Sequence, residues 1–145
     1  MINKFLGYAT ININGEIIPV KFGTWALEKF CEKYGIGFSE LGDVFEQVEG
    51  PNNKKVEVPK NVIKFLTTAL WAGASYVTML EGGKAYSLED TYAWVDEIGT
   101  STPQAIEIMT AFYVSILNGG PIPKQMTVPV VENKTKSKKK LPGKV

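Results

Sequence analysis

The chain has 145 residues, 44% of them apolar, which is enough for one core and too short for two comfortable domains. It contains no histidine and no arginine. The usual general base, the commonest metal ligand and the bidentate phosphate clamp are therefore all absent, and neither an enzyme nor a cofactor or metal site is expected.

The formal charge of +1 hides a division. Residues 1–131 carry ten lysines against fourteen carboxylates, whereas residues 132–145 carry six lysines and one. An acidic body with a basic tail results. Cys31 is the single cysteine, so no internal disulfide can form, and without a histidine beside it the thiol reads as structural, buried or half-buried. No run of about 18 apolar residues offers a membrane span, and the start "MINKFLGYATININ" lacks the features of a signal peptide, so a cytoplasmic protein without membrane contact is expected.

In "FLGYATININ", Ala9, Ile11 and Ile13 alternate with Tyr8, Thr10 and Asn12, the pattern of a half-buried strand. Asn14-Gly15 accepts the two positive φ angles of a type I′ turn, and "EIIPVKF" is the return strand. Pro19 cannot donate to a ladder, which predicts one open side. Thr24 is placed to cap "WALEKFCEKYG", a helix with Trp25, Leu27, Phe30, Cys31 and Tyr34 at its apolar positions and Gly35 as its stop. Ser39 opens a second predicted helix, "ELGDVFEQVEG", with Leu41, Val44, Phe45 and Val48 on one stripe. "GPNNKKVEVP" reads as a polar connection whose final proline suits a first helical turn.

The longest predicted helix runs from Lys60 to about Glu81 with a broad apolar face, and Ala72, Gly73, Ala74 and Ser75 would let another helix approach closely. Ser87 and Asp90 fit a capping box at the start of the fourth helix, and Thr102-Pro103 begin the fifth, which ends at Gly119-Gly120. The predicted class is α+β, mostly α: an N-terminal hairpin, about five helices over residues 1–120, and a lysine-rich extended tail over 121–145 with no apolar pattern to hold it down.

Few residues offer a site. Gly82-Gly83 and Gly119-Gly120 follow helices rather than precede them, so they read as helix stops and not as a phosphate cradle. Asp90 is explained by its helix N-terminus, and Asp96 and Glu97 fall on an expected solvent face. Most of the aromatics Trp71, Tyr76, Tyr86, Tyr92, Trp94, Phe112 and Tyr113 are expected in the core; a single-strand nucleic acid platform would need a basic groove between them. Lys134, Lys136, Lys138, Lys139 and Lys140 form the one charged segment with a competing functional reading, as a partner-binding tail.

The segment "INGEIIPVKFGTWALEKFCEKYGIG" resembles the tail assembly chaperones of long-tailed phages and prophages, over roughly Thr10 to Leu41. Asn14, Gly15, Phe22, Gly23 and Leu27 match the family pattern, where they would hold the hairpin on the helices. The resemblance implies a non-enzymatic, largely helical factor of the host cytoplasm, absent from the finished virion. Such a factor coats the tape-measure protein through apolar contacts, helps recruit tail-tube subunits, and fits a homo-oligomer built through the same surface. It also suggests a frameshifted longer form, since Lys138-Lys139-Lys140 must be written in A-rich codons five codons before Val145. Two other readings compete. One is a small structural protein of the tail or head–tail region retained in the particle. The weaker one is a nucleic-acid-binding accessory protein using the basic tail, although nucleic acid contact is not expected of an acidic body.

Overall fold

The computed structural model describes residues 7–119. In chain order they form β1 (Tyr8–Ile13), β2 (Glu16–Lys21), α1 (Thr24–Tyr34), a 3₁₀ helix (Phe38–Val44) and β3 (Phe45–Glu49). A short 3₁₀ turn (Pro51–Asn53), β4 (Lys55–Pro59), α2 (Val62–Glu81), α3 (Leu88–Ile98) and α4 (Pro103–Gly119) complete them. The class is α+β and mostly helical, with the hairpin first, as the sequence indicates.

The first hairpin follows from its turn. Asn14 and Gly15 both take positive φ, 52° and 89°, and the Asn12 side chain accepts from the Gly15 N–H at 2.8 Å. The antiparallel register sets Ala9 beside Val20 and Ile11 beside Ile18, so all four side chains share the face turned to the core.

The second predicted helix is only half a helix. The 3₁₀ segment ends at Val44, and Phe45–Glu49 pairs antiparallel with Lys55–Pro59, the stretch read as a polar connection. Two features decide this. Asn52 and Asn53 both adopt positive φ, 61° and 60°, which reverses the chain, and Val56 and Val58 bring β-branched side chains to the return strand. Pro59 therefore closes a strand; the cap of α2 is Asn61, whose side chain accepts from the Lys64 N–H at 3.1 Å.

Other helix ends match their sequence signals more closely. Gly35 (φ 90°) and Ile36 both donate to the Cys31 carbonyl, closing α1. Ser87 and Asp90 make both bonds of a capping box, at 3.1 and 2.8 Å. The cap of α1 is Gly23 rather than Thr24, which is its first helical residue and makes no side-chain cap.

One core joins these elements. Phe22 just after β2, Phe30 from α1, Phe45 from β3 and Phe65 from α2 gather around Phe112 of α4, with centroids 5.2, 4.7, 6.4 and 4.9 Å from its ring. Mostly tilted or edge-on, such pairs each add about 0.5–1.5 kcal/mol beyond the area they bury. The small-residue cluster of α2 receives a strand, not a helix. A methyl at Gly73 would stand 2.9 Å from Val20 Cβ and 2.9 Å from Phe22 Cε1, so β2 lies directly on the helix backbone.

Candidate functional site

The hairpin–helix residues come together as a joint. Phe22 and Leu27 are fully buried, and Phe22 donates its N–H to the Gly7 carbonyl at 2.8 Å. Gly23 accepts from the Leu27 N–H at 2.8 Å, and a Cβ on it would press within 3.2 Å of the Tyr76 ring. Asn14 and Gly15 lie exposed at the far tip of the hairpin. The joint fixes β2 and α1 on α2; it gathers no reactive group. The tail lysines, Lys134, Lys136, Lys138, Lys139 and Lys140, lie outside the described residues.

Cys31 is buried, and its thiol is pushed up to about 11 by burial and by the carboxylates of Glu32 and Glu40. That is the reverse of what a nucleophile needs. Asp96 and Glu97 are exposed, and Asp90 is spent on its cap. Among the described residues no cluster of three or more potential metal ligands occurs, and no helix is long and apolar enough to cross a membrane. Tyr113 is fully buried, yet among the described residues its hydroxyl and that of Thr110 have no hydrogen-bond partner; burial and the nearby Glu57 carboxylate both raise the Tyr113 phenol.

What the molecule does present is surface. Met79 and Leu80 at the end of α2, Ile63 at its start, Tyr92 on α3, and Ile106 and Leu117 on α4 are each 37–50% exposed. A second surface lies along α1 and α2. The ammonium groups of Lys29, Lys33 and Lys64 stand 5.6, 4.7 and 4.2 Å from the ring centroids of Trp25, Trp71 and Tyr34. Trp25 also stacks on Tyr76 at 5.6 Å. Trp25, Tyr34, Trp71 and Tyr76 are half-buried rather than interior, and Tyr92 is exposed, so fewer of the aromatics are core than their helical spacing predicts. The signal for this row was the four-residue step Trp25, Lys29, Lys33; its partners on α2 are set only by packing.

No family model, curated protein or solved structure matches the chain.

Proposed function

We propose that this protein is a tail assembly chaperone of a long-tailed phage or prophage, acting without catalysis in the host cytoplasm. It would hold apolar segments of a tape-measure protein until tail-tube subunits replace it. The observation that carries this reading is the apolar surface left in water on α2, α3 and α4, where Ile63, Met79, Leu80, Tyr92, Ile106 and Leu117 stand exposed. A binding protein for apolar clients needs such side chains outside its core. The hairpin–helix joint on which the resemblance rests gives those helices a rigid base.

The test is co-expression with the neighbouring genes and purification through a tag at low and high salt. A long helical tape-measure protein that stays bound at high salt is the expected result, because apolar contacts survive screening. Recovery of nucleic acid alone, released by salt, would overturn the proposal.

A second reading, a structural protein retained in the particle, draws on the two sheets. Among the described residues each has two strands, and a neighbour's strand could extend such a sheet. Mass spectrometry of purified particles separates the two: the chaperone is absent from them and the structural protein present.

A further inference from the structure

We infer that the outer edge of β3 is the docking site of this chain's own lysine-rich segment, residues 134–140, which joins the second sheet as a third strand. The inference does not rest on the chaperone reading. It starts from the backbone groups that each sheet turns outward. In an antiparallel pair, residues bonded to the partner strand alternate with residues whose N–H and C=O face away from it.

In the first sheet the bond from the Phe22 N–H to the Gly7 carbonyl fixes the phase, so Asn12 on β1 and Pro19 on β2 face away. Neither receives a further strand well. The Asn12 N–H already donates to Gln104 Oε1 at 2.7 Å, and Pro19 has no N–H to give. In the second sheet Gly50 donates to the Lys54 carbonyl at 2.6 Å and Lys60 to the Val44 carbonyl at 2.9 Å. Glu57 and Pro59 therefore face outward on β4, where Glu57 is buried and Pro59 lacks a donor. On β3 the outward residues are Phe45, Gln47 and Glu49. Phe45 gives its N–H to the Gly42 carbonyl. Gln47 and Glu49 are exposed, and among the described residues their outward N–H and C=O groups meet no strand.

Charge selects the occupant. Residues 34–53 carry four carboxylates and no lysine, and Glu40, Asp43, Glu46 and Glu49 are all exposed. The lysines of this hairpin, Lys54, Lys55 and Lys60, lie in or beside β4, across the sheet from the open edge. In the basic segment Lys134, Lys136, Lys138 and Lys140 occur at every second position. That alternation puts all four on one face of an extended strand, about 7 Å apart. Residues 130–141 hold no proline, so each of their N–H groups can enter a ladder.

The connection is long enough. The Tyr113 ring of α4 lies 5.2 Å from that of Phe45, and Gly119 is six residues, about 9 Å, further along the helix. Lys134 follows fifteen positions after Gly119, a reach of up to about 50 Å. Covering a bare strand edge with its own chain keeps the protein from pairing there with others.

The test is amide hydrogen exchange on the full chain, read residue by residue by NMR. At low salt the Gln47 and Glu49 amides are expected to exchange about tenfold or more slowly than in the full-length variant Lys134→Gln, Lys136→Gln, Lys138→Gln, Lys140→Gln. That protection should disappear at about 1 M salt. Gln47→Pro removes one outward donor and leaves the β3–β4 ladder whole, so it is expected to speed exchange over residues 134–140. Equal exchange at Gln47 and Glu49 in the wild type and the four-lysine variant overturns the docking and leaves the chaperone reading untouched. A nitroxide on Ser137→Cys, in unlabelled chains mixed with ¹⁵N-labelled ones, separates the remaining case. Broadening of β3 amides across copies would assign the edge to the segment of a second chain and overturn docking within one.

Discussion

At Gly73 a missing side chain decides how the molecule packs. With Val20 and Phe22 both 2.9 Å from where a Cβ would sit, Gly73→Ala must push β2 off α2. We expect the variant to lose about 1–3 kcal/mol, read as a lower urea midpoint at an unchanged m-value. Titratable residues make a second prediction. Cys31 has an ordinary thiol value of 9.0 and is raised to about 11 in the fold, and the Tyr113 phenol is raised too. A raised folded-state value means that the folded chain holds its proton where the unfolded chain releases it. The contribution is present in full below pH 9 and is lost as pH climbs toward about 11. Urea midpoints should therefore hold steady from neutral pH to the onset of that window and fall within it. Cys31 should react with iodoacetamide at pH 8 only after unfolding. A native chain labelled as fast as the unfolded one would contradict the burial assigned to this thiol.

At the scale of elements, signals confined to a few consecutive residues were readable and signals split across the chain were not. Asn14-Gly15, Gly35 and the Ser87–Asp90 box each act within about four residues, and each does what its chemistry dictates. The stretch from Leu41 to Val48 shows why the second hairpin was missed. Its apolar residues at 41, 44, 45 and 48 fit a helix turn by turn, and the hydrophobic period alone favours that reading. Pairing with Lys55–Pro59 wins because it buries Phe45 against Phe65, Phe112 and Tyr113. The alternation of Val56 and Val58 and the Asn52-Asn53 turn were the available hints, obscured by the lysines and prolines around them. The hairpin hangs on that one ring. Phe45→Ala should cost about 3–5 kcal/mol and speed amide exchange selectively over residues 45–59. Uniform acceleration across the body would mean that the hairpin folds only with the whole.

At the scale of the molecule, the candidate surface was less readable than the fold. Absence of histidine and arginine steered the reading away from catalysis, but the row of lysines over rings depends on which residues of α2 meet α1, and composition says nothing of that. The charges of α1 balance, two lysines against two glutamates, so neither net charge nor composition marks Lys29, Lys33 and Lys64 as the lysines that lie over rings. Chaperone action has a direct physical signature: an apolar client should be soluble when this protein covers it and aggregate when it does not. The most direct measurement is the fraction of the tape-measure protein remaining in the supernatant after ultracentrifugation, expressed alone and with this chain. A client found in the pellet alone and in the supernatant as a complex is the predicted outcome. A client equally soluble in both cases would contradict the chaperone role.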